Sequence, residues 1–280
     1  MTTRWRRSRR LPLWVVLTQA TVVTALAVLP YVLELQRQAL EAADSSRRAI
    51  GKRPIRRGEI VTLAAVQAEL MFGVASWSGL KLGRGLGLGA PYLEDWLAGR
   101  PTRLGRRTAG AYALSGLLAA SVVSAVDAWL FRDVIEEFRR RGIHPPAAWR
   151  GILAATYAGV AEEVLVRLGV QTALAAATRQ LTGDSRTPPG ARTMLPAIAG
   201  SSIAFGLGHL PTTRSLGLRG RAVVARTLTL NAIPGVVFGT LYWRRGLEAS
   251  MIAHFATALT LTVGVPPIER MVAATNRATS

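Results

Sequence analysis

The chain has 280 residues, half of them hydrophobic, and a formal net charge of +19. Its mean hydropathy of +0.26 is high for a soluble protein and ordinary for a polytopic membrane protein. Cysteine is absent, which excludes disulfides, thiolate metal ligands and a cysteine nucleophile. The basic residues stand in short blocks, around Arg4–Arg10, Arg47–Arg57, Arg100–Arg107, Arg139–Arg141 and Arg214–Arg226, with apolar runs between them. That is the pattern of loops flanking membrane spans, so a lipid bilayer is the expected partner and nucleic acid is not. Arginine almost replaces lysine, as in GC-rich bacterial genomes, and a bacterial cell membrane is the expected location.

In chain order, a basic head at Met1–Arg10 precedes a charge-free apolar run, Leu11–Leu33. Ala25-Leu26-Ala27 imitates a signal-peptide cleavage site, but the run exceeds a usual signal core and is read as an uncleaved first membrane helix. Glu34–Glu59 is polar and helical at its start. Ile60–Leu80 is a second span carrying Glu69, read as an acid at a helix end or facing a cavity. Lys81–Gly89 is glycine-rich; with no strand around it, it is read as a flexible hairpin and not a dinucleotide fingerprint. Pro91–Leu97 is a short interfacial segment. Ala109–Phe131 is the third span, with Asp127 near its end, and Asp133–Arg141 is a solvated charged helix. His144, before Pro145-Pro146, is read as a loop histidine.

Gly151–Arg179 is a fourth span, Met194–Leu210 a fifth, Ala222–Trp243 a sixth and Leu247–Val265 a seventh. Strand-like alternation is missing, so the predicted fold is an all-α polytopic membrane helical bundle of about seven transmembrane helices. The expected division is an N-terminal part with basic loops, 1–150, a four-helix core, 151–265, and a tail, 266–280. Lysine and arginine totals in alternate loops are similar, so the positive-inside rule leaves orientation open. Asn231, Gly235 and Gly239 recur every four residues, a spacing that puts them on one face and lets helices approach closely.

Ionisable groups inside apolar spans are costly and mark partners, wet cavities or chemistry. Here Glu162, Glu163 and Arg167 lie in one span, His209 at the end of the next, and His254 in the last. Glu163 and Arg167 are four apart and can pair. A glutamate and two histidines from three helices suffice for acid–base work on water, or for a metal site with an open position. The residues alone leave hydrolase and transporter open.

The Glu-Glu-x-x-x-Arg series at Glu162, Glu163 and Arg167, the Phe-x-x-x-His pair at Phe205 and His209, and His254 in the last span resemble the three motifs of the CAAX-protease and bacteriocin-processing (CPBP) family of intramembrane proteases. The likeness covers about Gly151–Thr262. Leu80–Leu97 and Tyr242–Ala249 also resemble pieces of that family. The resemblance implies a glutamate-dependent intramembrane endopeptidase acting on a peptide or membrane-protein substrate. Glu162 would activate water with His209, Arg167 would orient the glutamates, and His254 would stabilise an oxyanion or ligate a metal. A divalent metal such as zinc on Glu162, His209 and His254 and a metal-free mechanism are both compatible with the family. One position departs from its pattern: Ala258 stands where the third motif usually has Asn or Asp. Thr257 and Asn231 are the polar side chains that could substitute. The alternatives are a non-catalytic membrane adaptor that keeps the fold, and a transporter using the acids as a proton relay.

Overall fold

The structure is a computed structural model and describes residues 11–54, 56–141 and 147–264. The basic head, His144 and the 266–280 tail lie outside the described residues. Among the described residues every regular element is a helix. They are α1 (Leu13–Ala27), α2 (Leu29–Leu35), α3 (Arg37–Ala49), α4 (Arg57–Leu86), α5 (Pro91–Leu97), α6 (Arg106–Leu130), α7 (Arg132–Arg140), α8 (Ala148–Tyr157), α9 (Thr172–Thr182), α10 (Ala191–Ser215), α11 (Arg221–Arg245) and α12 (Leu247–Leu259). Two π-helical stretches, Ala158–Glu162 and Val164–Gln171, join α8 to α9, and a third, Thr260–Gly264, extends α12.

Among the described residues five helices are long and apolar enough to cross a membrane, and the pair α1 and α2, bent by 45°, makes a sixth if the two are counted as one broken span. The bend falls beside Pro30 at the start of α2, where the missing N–H and the ring disrupt the previous turn. Residues 148–182 run helically through both π stretches, since the joints at Ala158, Glu163 and Thr172 keep right-handed helical angles. At about 1.5 Å per α-helical residue this interrupted helix is also of spanning length. The all-α polytopic bundle expected from the apolar periodicity is therefore what the chain forms.

Glycine marks both the ends of these helices and their closest contacts. At Gly87 α4 ends in a left-handed turn with φ +64°, and Leu88 N–H returns to the Gly83 carbonyl. The glycine-rich run is thus no flexible hairpin: Lys81–Leu86 is helix, and only residues 87–90 turn. A Cβ on Gly79 would lie 2.3 Å from the Leu168 carbonyl oxygen, and one on Gly116 would lie 2.1 Å from that of Ala253. These contacts seat the N-terminal helices on the 151–265 core, α4 against the second π stretch and α6 against α12. Small residues allow such backbone approach where apolar burial alone gives no preference over lipid. Gly79→Ala should destabilise the protein by about 1–3 kcal/mol, as overpacking does; an unchanged thermal midpoint in detergent would contradict the contact.

The alternation of spans sorts the connections to two ends of the bundle. One end gathers the α4–α5 turn, the 183–190 loop and Gly246. There Arg179 Nη1 donates to the Gly85 carbonyl at 2.6 Å, Trp243 Nε1 to that of Pro189 at 2.9 Å, and Leu247 N–H to that of Gly89 at 2.9 Å. Glu248 Oε1 accepts the Leu93 N–H at 2.7 Å, which caps α5 from the start of α12. The two further segments that resembled family pieces, Leu80–Leu97 and Tyr242–Ala249, are thus neighbours in space. The other end gathers α2, α3, α7 and the 216–220 turn, where Arg141 Nη1 donates to the Gly217 carbonyl at 3.1 Å.

Asp184 organises the 183–190 loop outside the spans. Its carboxylate accepts from Arg186 Nε at 2.8 Å, from Gly190 N–H at 2.7 Å and from Thr193 Oγ1 at 3.1 Å. The Arg186 side chain, then the Gly190 amide, hold Asp184 well below the usual carboxylate range. A depressed carboxylate stabilises the loop while the pH is above its unfolded value, about 4. That contribution is lost as the pH falls further, through the folded value. Protection from hydrogen exchange across residues 183–190, corrected for the intrinsic rate at each pH, should therefore fall in acid, and Asp184→Asn should be weakly protected at every pH. A wild-type loop equally protected at pH 3 and pH 7 would contradict this.

Candidate active site

The site is built on the interrupted helix. A π stretch has a wider turn than an α-helix and recurs at functional positions because it re-aims side chains locally. Glu162 ends the first stretch and Glu163 links it to the second. Adjacent helical residues diverge by roughly 100° in an α-helix, and somewhat less here. The two acids accordingly enter different surroundings. Glu163 is 1% exposed and Arg167 0%, whereas the Glu162 side chain keeps 21% of its surface open.

Glu163 lies inside a buried polar chain. One carboxylate oxygen, Oε1, accepts the Nδ1–H of His254 at 2.8 Å. The other, Oε2, faces Arg167 Nε at 3.6 Å. Arg167 Nη1 donates to Gln171 Oε1 at 3.1 Å and to Ser201 Oγ at 2.9 Å, and Gln171 Nε2 donates to the Gly239 carbonyl at 3.0 Å. A buried charge needs an opposite charge and hydrogen bonds. The segment meets that need in part with residues of four elements, the interrupted helix, α10, α11 and α12; Glu163 Oε2 and Arg167 Nε and Nη2 have no hydrogen-bond partner among the described residues. Gly239 belongs to the four-residue stripe on α11, and a Cβ there would lie 2.8 Å from Gln171 Oε1. The close approach expected from the stripe thus serves to bring the α11 backbone to Gln171. Gln171 and Ser201 escaped the reading of the sequence. One polar residue in an apolar run is common, and only Gln171's place four residues after Arg167 hinted at a shared face.

Glu162 opens into a cleft of about 630 Å³ that is also lined by His209, His254, Asn231 and Ala258. His209 Nε2 is 3.9 Å from Glu162 Oε1, and His254 Nε2 is 3.6 Å from Glu162 Oε2. His209 donates Nδ1–H to the Phe205 carbonyl at 2.9 Å, so its Nε2 is left facing the carboxylate. His254 is fixed the same way by Glu163 and also presents Nε2. Phe205 meets His209 edge-on at 4.6 Å and His254 at 5.5 Å between centroids, and Phe238 stacks on His254 at 4.4 Å. The phenylalanine of the Phe-x-x-x-His pattern is thus a wall between the two imidazoles. The cleft also touches Leu35, Gln36, Thr212 and Thr262. It therefore opens toward the end of the bundle that carries α2, α3 and α7, with the α1–α2 bend along its side.

Of the two candidate substitutes around Ala258, Thr257 is committed elsewhere. Its hydroxyl is bonded to the carbonyls of Gly116 and Ala253, both at 2.9 Å. Asn231 donates once along its own helix, to the Thr227 carbonyl at 2.7 Å, and lines the cleft. As a ligand set for zinc, Glu162, His209 and His254 are gathered but spread. Donors on one tetrahedral zinc stand about 3.4 Å apart, less than both imidazole–carboxylate separations. Among the described residues, no three His, Asp or Glu side chains are arranged to hold a metal ion.

Two other acids flagged in the sequence lie outside the cleft. Glu69 is exposed on the flank of α4 and accepts from Gln19 Nε2 of α1 at 3.0 Å. Asp127 takes a two-pronged ion pair from Arg226, at 2.7 and 2.6 Å, which ties α6 to α11.

Compared with known protein families, residues 143–260 match the family model described as type II CAAX prenyl endopeptidase Rce1-like. The match spans α8 to the end of α12 and contains all five of the ionisable residues discussed above, Glu162, Glu163, Arg167, His209 and His254. No curated protein and no solved structure matches the chain.

Proposed function

We propose that this multi-pass membrane protein, whose residues 143–260 match the type II CAAX prenyl endopeptidase Rce1-like family, is a protease that hydrolyses a peptide bond with a water activated by Glu162 and His209. The observation that carries the reading is the meeting of Glu162, His209 and His254 from three helices at one cleft. A water between Glu162 Oε1 and His209 Nε2 can be held by both acceptors. It attacks the scissile carbonyl carbon and gives a proton to Glu162, while the carbonyl oxygen takes the electron pair as an oxyanion. Glu162 then returns the proton to the amide nitrogen. The C–N bond breaks, the oxyanion collapses, and the products are a carboxylic acid and an amine, which pass the remaining proton between them to leave a carboxylate and an ammonium.

His254 is suited to the oxyanion. Its Nδ1–H is held by Glu163, so a protonated ring would aim Nε2–H into the cleft beside Glu162. A donor set in place before the reaction and shielded from water acts at full strength. Arg167 and Glu163 are positioning residues in this reading, since the guanidinium holds the carboxylate that holds the imidazole. The apolar cleft walls, among them Leu29, Val32, Leu230 and Leu261, suit a peptide or membrane-protein segment that is itself apolar near the cleavage point.

The test is cleavage of candidate membrane peptides by the purified protein beside Glu162→Ala and His209→Ala. Equal cleavage by all three would end the proposal. Incubation with a strong chelator separates the metal-free route from a zinc-dependent one. The route above expects undiminished cleavage, and a loss restored by added zinc would overturn it.

A non-catalytic adaptor that keeps the fold is favoured by one observation: Ala258 lines the cleft with a methyl group, and the neighbouring Thr257 hydroxyl is already bonded. That reading expects Glu162→Gln to leave the cellular phenotype intact. It expects Gly235→Leu, which would drive a side chain into Ser202, to abolish it.

A further inference from the structure

A second cavity, of about 830 Å³, lies between the end of α10 and the start of α11. It sits at the same end of the bundle as the mouth of the catalytic cleft. Its walls are apolar, with Leu210 and Leu228 deepest along their helices and Leu218 and Val223 buried beneath the turn. Its rim carries Arg214, Arg219 and Arg221, all exposed, and no carboxylate lines it. Neighbouring arginines are neutralised: Arg226 by Asp127 and Arg141 by Glu137. Among the described residues, the three rim arginines have no ion-pair partner.

We propose that this cavity binds an anionic phospholipid, with its phosphate among the three guanidiniums and its acyl chains against the leucine and valine walls. The placement follows from the helix ends. Arg214 lies in the last turn of α10 and Arg221 opens α11, so their charges stand at headgroup level. Leu210 and Leu228 lie one to two turns into the hydrocarbon. Guanidinium groups match phosphate oxygens in pairs. The cation of a zwitterionic headgroup would be repelled by the same three charges, and a free phosphate would leave the apolar walls uncovered. Basic pockets between membrane helices recognise lipid headgroups on these terms.

The cavity bears on the catalytic site through α10. His209 immediately precedes Leu210, and the Thr213 hydroxyl donates to the His209 carbonyl at 3.1 Å. A lipid seated here would brace the helix end that carries His209. The binding site itself does not depend on the peptidase reading, and its test reads lipid rather than cleavage.

The full chain is placed in nanodiscs of mixed phosphatidylcholine and phosphatidylglycerol, extracted into mild detergent, and its retained lipid identified by mass. Wild type should retain phosphatidylglycerol over phosphatidylcholine. The triple variant Arg214→Gln, Arg219→Gln, Arg221→Gln should lose that preference on the order of 100-fold, as three arginines near a membrane surface would supply. Arg103→Gln, Arg106→Gln, Arg107→Gln removes the same charge at the opposite end and should retain the lipid. If the first triple variant does not fold, Arg219→Glu in the exposed turn should weaken retention by itself. Equal retention by wild type and the rim variant, equal loss in the opposite-end variant, or indifference to headgroup charge would overturn the proposal. Displacement by inorganic phosphate alone would mark a soluble-anion site and would overturn it too.

Discussion

Glu162→Gln is expected to lower kcat by at least about 100-fold, the lower range for loss of a general base, while the thermal midpoint stays where it was. The carboxylate is partly open to the cleft, with the imidazoles of His209 and His254 at 3.9 and 3.6 Å. An amide of the same size fits the same space and leaves no buried charge unpaired. Its loss is felt by the water alone. Glu163→Gln should behave differently, because Glu163 is buried between Arg167 and His254. That variant should lose both folded stability and activity. An active, stable Glu163→Gln beside an inactive Glu162→Gln would still support the water-activating role of Glu162, but it would remove the positioning role from Glu163. Activity retained in Glu162→Gln would remove the mechanism altogether.

Arg167→Leu should destabilise the protein by about 3–5 kcal/mol, the usual cost of stranding one partner of a buried ion pair. The guanidinium is fully enclosed and anchors Glu163, Gln171 and Ser201 at once. Its removal leaves a carboxylate without its counter-charge deep in the bundle. The double variant Glu163→Leu, Arg167→Leu leaves no unpaired charge of this pair and strands only hydrogen-bonding groups on His254, Gln171 and Ser201, so it should be more stable than Arg167→Leu alone even though it carries more changes. Unfolding midpoints of the four proteins in one detergent measure the coupling. A destabilisation of the double variant equal to the sum of the two single ones would show that the pair does not interact as the geometry has it.

Much of this architecture was legible one residue at a time. Long apolar runs separated by arginine blocks specify membrane helices, because a span must satisfy its backbone internally and keep charge at its ends. The costly groups stood out for the same reason, and Glu162, Glu163, Arg167, His209 and His254 were visible as misfits within apolar surroundings. The four-residue stripe at Asn231, Gly235 and Gly239 announced a close helix contact, though not with which neighbour. Lys81–Gly89 misled because glycine serves both turns and tight packing. Only the facing backbones of Leu168 and Leu88 show that Gly79 and Gly83 are packing positions within a helix.

The sequence by itself determined which groups are expensive, since the energy of a charge in hydrocarbon depends on its own chemistry and on the length of the apolar run around it. The division of labour between the two adjacent acids was decided in three dimensions. Glu163 is a buried anchor and Glu162 a cleft-facing carboxylate because the π stretches turn them toward different helices. One meets Arg167 and His254, and the other meets open space beside His209. Likewise the sequence offered Thr257 and Asn231 equally as polar neighbours of Ala258. The packing of α6 against α12 removed Thr257 by bonding its hydroxyl to the Gly116 carbonyl. Directions and partners of this kind arise from contacts between residues far apart in the chain, and local composition carries no record of them.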